Sequence, residues 1–297
     1  MSPPGEPAAQ GSTRPWLGPL LVTCGAIAIG YAPIGLRLSE FGPQATAFWR
    51  FAFALPLILA VIYGSGGKLE KPSMLSLVAG LFFGFDIVFW HASLVLTSVA
   101  NATFLVNLGN AAVGVVAWIV LKERPGKTWG FAIAIALVGA LLLSRGAAGE
   151  TAGAVQGDLL ALLAAIMVGL YLFFAKLARR TSSAMNVLFW STATTLAVTF
   201  FAALLRNEPM IPPEPGWLVV PLTLAIFAHV LGQGLIVAGV GRTPAALAGI
   251  LLLIQPVAAG LIAWPLFREM LTPLQIFGAC LILAGVWLGE KLTSGQR

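Results

Sequence analysis

The stretch Ala100–Arg145, ANATFLVNLGNAAVGVVAWIVLKERPGKTWGFAIAIALVGALLLSR, decides the fold. It joins two apolar runs across a short charged break at Lys122-Glu123-Arg124. The same design returns at Ala246–Lys291, ALAGILLLIQPVAAGLIAWPLFREMLTPLQIFGACLILAGVWLGEK. Trp118 matches Trp264, Glu123 matches Glu269, Phe131 matches Phe277 and Gly139 matches Gly285, at one constant step (264 − 118 = 285 − 139 = 146). A step held without a gap through two helices and a loop marks a duplicated unit.

Composition sets the solvent. Of 297 residues, 59% are hydrophobic and only 9% charged, against a charged share of about 25% in ordinary soluble domains. That much apolar surface has no polar cover, so the chain belongs in lipid. The net charge of +6 sits between the apolar runs, where it signals topology and not a nucleic-acid surface. Cys24 and Cys280 lie inside apolar runs without metal or disulfide spacing and read as small packing residues. Residues 1–15, rich in Pro, Gly and Ala, read as a disordered cytoplasmic tail, and the first apolar run is expected to be retained.

Hydropathy predicts ten spans, at about 17–36, 43–63, 73–95, 98–121, 128–145, 155–177, 184–205, 216–240, 244–267 and 273–290. With the N-terminus inside, Arg14, Lys68, Lys71, Lys122, Arg124, Lys127, Lys176, Arg179, Arg180, Arg242, Lys291 and Arg297 fall on the inner side. Only Arg37, Arg145, Arg206 and Arg268 fall outside, and Arg50 alone lies within a span. Twelve against four is a firm positive-inside bias and places both termini in the cytoplasm.

Five helices per unit is an odd number, so the second copy must enter the membrane upside down. The expected fold is therefore an all-α membrane protein of ten transmembrane helices in two inverted five-helix repeats, 16–147 and 148–297. Gly18–Arg37 and Gly157–Lys176 echo each other as the first helices of the two units. Inverted repeats with a site between them are a recurrent transporter plan.

The second half opens on Gly157-Asp-Leu-Leu-Ala-Leu-Leu-Ala-Ala165. Two helices end on Leu121-Lys-Glu123 and Phe267-Arg-Glu269, each followed by a Gly-bearing apolar helix. On these residues the chain resembles the drug/metabolite transporter superfamily, in its ten-helix branch of two EamA-type repeats, over roughly 17–290. Within it the chain looks most like bacterial exporters of aromatic amino acids. The resemblance implies export of amino acids and related small metabolites from the cytoplasm by an inner-membrane secondary transporter. No cofactor is expected, and the chain reads as a monomer or weak homodimer.

Polar groups in hydrocarbon are expensive and mark function by default. Asp86 is the one acidic residue well inside a span and shares a helix face with Phe82, Phe89 and Trp90. It either meets substrate or a coupling proton, or it pairs with Arg50 and locks two helices together. Thr103, Asn107, Asn110 and Gly114 form a polar stripe at spacings of four, three and four, read as cavity lining against the alternative of interhelical hydrogen bonding. His229 and Gln233 stand one turn apart. Tyr31, Trp90, Tyr171 and Trp190 are candidate stacking walls, against a plain packing role for each. Pro33 and Pro256 suggest broken helices.

In the second copy the polar stripe becomes Gly249, Leu253, Pro256 and Gly260. The expectation is therefore a lopsided cavity, polar on helices 3 and 4 and apolar opposite them. No nucleotide-binding loop G-x-x-x-x-G-K-[ST] and no H-E-x-x-H is present, so neither direct ATP drive nor metallohydrolysis is indicated. Two alternatives remain, a carrier of cationic drugs and, more remotely, a lipid-modifying enzyme using Asp86 with His91.

Overall fold

The computed structural model describes residues 15–96, 99–122, 129–145, 155–267 and 271–294. Ten helical spans run through them. They are α1 (Leu17–Leu38), α2 (Pro43–Gly64), α3 (Met74–Leu96), α4 (Val99–Leu121), α5 (Trp129–Arg145), α6 (Val155–Ala178), α7 (Ala184–Leu205), α8 (Pro215–Val240), α9 (Ala245–Phe267) and α10 (Pro273–Ser294). Among the described residues there is no strand. Seven spans are long and apolar enough to cross a membrane, while α4, α5 and α10 carry shorter apolar stretches.

Three spans depart from plain helix. α1 is α-helical over Leu17–Ile29 and again over Ala32–Leu38, and α9 over Ala245–Leu252 and again over Gln255–Phe267. Pro33 and Pro256 each stand second in the restarted segment, where a missing N–H leaves no internal bond unmade. The prolines thus begin new helices instead of kinking continuous ones. In α8, Leu224–Gln233 winds as a π-helix, which the apolar pattern does not foretell.

The packing repeats itself across the duplication. α3 lies on α6 as α8 lies on α1, α3 on α7 as α8 on α2, and α4 on α6 as α9 on α1. The pairs α5 with α10, α4 with α9 and α2 with α7 map onto themselves. Exchanging each helix with the one five places on returns all the largest of these contacts, the mark of a pseudo-two-fold axis.

The α5–α10 seam shows which way the copies run. A Cβ on Gly139 would lie 2.6 Å from the Gly278 carbonyl oxygen, and one on Gly285 would lie 2.7 Å from the Ala132 carbonyl oxygen. Rising numbers in α5 meet falling numbers in α10, so these equivalent helices are antiparallel and the repeat is inverted. Backbones this close leave no room for side chains. Gly80 and Gly84 likewise pack on Ser191 and Val198, and Gly289 packs on Ile250, so the in-span pairs Gly80-x-x-x-Gly84 and Gly285-x-x-x-Gly289 are both used inside the bundle.

Two symmetric clasps tie the halves. The dipeptides Phe48-Trp49 and Phe189-Trp190 are equivalent at a step of 141 (190 − 49). Trp49 Nε1 donates to the Met210 carbonyl at 2.8 Å, and Trp190 Nε1 donates to the Glu70 carbonyl at 2.9 Å. At the same step, the Ala45 amide donates to Glu208 Oε2 at 2.8 Å, while Asn186 Oδ1 accepts from the Glu70 amide at 2.9 Å. Each α2-type helix is held at its start by a loop of the other half.

The interior is filled by Phe51, Ile58, Leu188, Ile236 and Leu251, all buried. The outer faces stay apolar: Ile119 is 71% exposed and Phe131 65%, as lipid contact requires. Cys24 and Cys280 are also exposed, which corrects their reading as buried packing residues; an apolar pattern marks lipid-facing and core positions alike. Gly278→Leu is expected to cost about 1–3 kcal/mol by overpacking the seam, read as a lower unfolding midpoint in detergent. Phe131→Leu on the lipid face should stay within about 0.5 kcal/mol of wild type.

Candidate functional site

Between the halves the bundle holds a partly open cavity of about 130 Å³. An apolar cavity of about 150 Å³ is known to hold benzene, so the space takes a group the size of one ring. The two broken helices supply part of the wall, through Gly30 and Pro33 of α1 and Gln255 and Pro256 of α9. Irregular backbone at membrane depth is tolerated where it lines such a cavity.

Two opposite charges face this space. Arg50 reaches it from α2 and Asp86 from α3, both 6% exposed. Arg50 Nε and Asp86 Oδ1 each lack a hydrogen-bond partner, as does Nε1 of Trp90 in the same wall. The guanidinium lies beside the Phe51 ring, 5.2 Å from its centroid. Arg50 and Asp86 therefore do not satisfy each other as a closed ion pair. A buried charge with bonding capacity left over is costly unless something binds it. The pair offers a donor for an anionic group and an acceptor for a cationic one.

The neutral polar groups come from both halves. On α4, Asn110 Nδ2 donates to Asn107 Oδ1 at 3.1 Å, and both residues line the cavity. From α6 and α8, Tyr171 and Gln233 join at 2.7 Å. With Gln255 added, the second half contributes three polar side chains, while both charges and the polar groups of α3 and α4 come from the first half, so the cavity is lopsided but not apolar opposite them. Gln255 was missed in the sequence, although an amide beside a proline inside an apolar span meets the same criterion that singled out Gln233.

Three sequence candidates stand elsewhere. Tyr31 lies at the α1 break, but its hydroxyl bonds Thr223 at 2.9 Å and its ring meets Phe227 edge-on, outside the cavity wall. Trp190 belongs to a clasp, its indole turned to the Glu70 carbonyl. His229 packs behind Phe83, nearly parallel to it at 6.0 Å, and meets Thr192 at 2.7 Å. Periodicity gives the face of a helix but not what stands in front of that face. The Thr103 side chain lies outside the described residues. Arg50, Asp86, Trp90, Asn107, Asn110, Tyr171, Gln233, Pro33 and Pro256 are brought together.

The sequence profile of the EamA-like transporter family matches residues 16–145 and again 155–289. The chain belongs to this family. It is a multi-pass membrane transporter, and each half carries one copy of the family unit. It is similar to two proteins of Bacillus subtilis (strain 168). "Uncharacterized transporter YwfM" is 27% identical over 198 residues, a match covering 64% of each chain and so less than two thirds of that relative. "Uncharacterized transporter YyaM" is 23% identical over 261 residues, covering 83% of this chain and 84% of its own. A solved crystal structure superposes with a TM-score of 0.80 at 18% identity, covering 93% of this chain and 98% of that one. At that identity the likeness shows the fold.

Trp190→Phe is expected to lose one hydrogen bond, about 1 kcal/mol of stability, with transport KM unchanged. A raised KM at an unchanged melting temperature would return Trp190 to the cavity.

Proposed function

We propose that this protein exports amino acids, aromatic and other large neutral ones first, together with related small metabolites, from the cytoplasm across a bacterial inner membrane. The observation that carries this reading is the Arg50–Asp86 pair. Opposite charges with open bonding capacity face one ring-sized cavity between inverted units. An α-amino acid has the matching pattern, an ammonium for Asp86, a carboxylate for Arg50 and a side chain for the apolar walls at Phe83, Val168 and Leu172.

The units 16–147 and 148–297 would expose the site to each face in turn, the alternating access that inverted repeats permit. The excess of Lys and Arg on one side supports cytoplasmic termini. The use of both G-x-x-x-G pairs inside the bundle favours a monomer or weak homodimer. A lipophilic cation, the alternative cargo, would also meet Asp86, but Arg50 in the same wall repels it.

Purified protein in liposomes should show saturable flux of labelled phenylalanine. Asp86→Asn and Arg50→Gln should each lower kcat/KM by roughly tenfold to a hundredfold, the worth of a hydrogen bond to a charged group. Saturable flux of a lipophilic cation with none of any amino acid would sink the reading.

A further inference from the structure

We infer that the cavity has a second, uncharged polar end, where Tyr171 and Gln233 select cargo by a neutral hydrogen-bonding group at the tip of its side chain. This rests on the amino-acid reading of the cavity and adds to it a basis for choosing among amino acids.

Gln233 Nε2 donates to Tyr171 Oη at 2.7 Å. The bond uses a carboxamide N–H and a phenol lone pair. The phenol O–H remains as a donor and the carboxamide oxygen as an acceptor. Among the described residues no other hydrogen bond engages either side chain. Both residues line the cavity, so one donor and one acceptor are available there to a ligand.

The pair is held in place from behind. The Tyr171 ring stacks on Phe83 with centroids 4.5 Å apart and planes at 26°. Phe83 lies near-parallel to His229, which is fixed by Thr192, and Phe51 meets His229 edge-on at 4.9 Å. A phenol clamped by its ring and its oxygen cannot swing away when cargo arrives. A polar pair held this rigidly discriminates, because cargo that fails to bond it leaves it buried and unpaired.

Depth separates this end from the charged one. α2, α6 and α8 cross the bundle in the same direction. Arg50 stands seven residues after the start of α2 (50 − 43), whereas Tyr171 and Gln233 each stand seven residues before the end of their helices (178 − 171 and 240 − 233). At about 1.5 Å per residue, each lies about 10 Å from its own face. Tyr171 and Gln233 therefore stand toward one end of the bundle and Arg50 toward the other, with Phe83 between them. An amino acid with its ammonium and carboxylate at Asp86 and Arg50 would point its ring past Phe83 toward Tyr171. A hydroxyl or ring N–H at the far tip would complete the unused bonds.

The test is counterflow of tyrosine, phenylalanine and leucine in liposomes, with wild type, Tyr171→Phe and Gln233→Leu. Wild type should favour tyrosine over phenylalanine in kcat/KM by about tenfold, the worth of one net hydrogen bond. Tyr171→Phe should bring that ratio toward one while phenylalanine flux persists, an outcome that general damage to the fold would not give. Tyr171→Phe removes a single oxygen and decides the matter even if Gln233→Leu does not fold. No preference in wild type, or a preference that survives Tyr171→Phe, overturns the inference and leaves the amino-acid reading standing. Absence of saturable flux for all three amino acids in wild type overturns both.

Discussion

Hydrocarbon solvates no peptide group, so every N–H and C=O at membrane depth must be satisfied within the bundle. This constraint orders the rest of the structure. It makes each span a helix, and it makes each interruption of a helix expensive. The interruptions at residues 30–31 and 253–254 fall where α1 and α9 border the cavity. The same constraint acts on side chains. Arg50 and Asp86 are costly in the interior, and both stand in the wall of the cavity.

Duplication builds the frame from half the information. A seam such as α5–α10 needs one helix sequence that packs against its own inverted copy, which is why Gly139 and Gly285, equivalent at a step of 146, both lie in it. The cavity sits at the axis yet does not obey the symmetry. Asn110 aligns with Pro256, so an amide faces the space from one copy and a helix restart from the other. Symmetric scaffolding leaves the axis free to diverge, because residues that border the cavity are not bound to match an inverted partner across a packed seam.

The frame was legible in the sequence because lipid imposes length, periodicity and charge bias on every span. The constant step and the odd helix count then required inversion, and the antiparallel seam shows it. The cavity was legible in part. Asp86, Arg50 and Gln233 stand out as polar groups in apolar runs, and that signal is independent of tertiary detail. Trp190 and Tyr31 carry no such signal, since an aromatic ring suits lipid, core, clasp or cavity equally well. His229 carries the signal but answers it locally, with Thr192. The π-helical segment of α8 packs against α1 and α2, and the apolar pattern of α8 carries no sign of it.

The clasps constrain how such a molecule moves. One attaches the loop bearing Glu208 and Met210 to the start of α2, and the other attaches the loop bearing Lys68 and Glu70 to the start of α7. Related by the two-fold axis of an inverted pair, they lie at opposite ends of the bundle. Lifting either loop from its helix breaks hydrogen bonds at that end, at about 1 kcal/mol each. Each half thus closes one end of the other, through a tryptophan and the loop it holds.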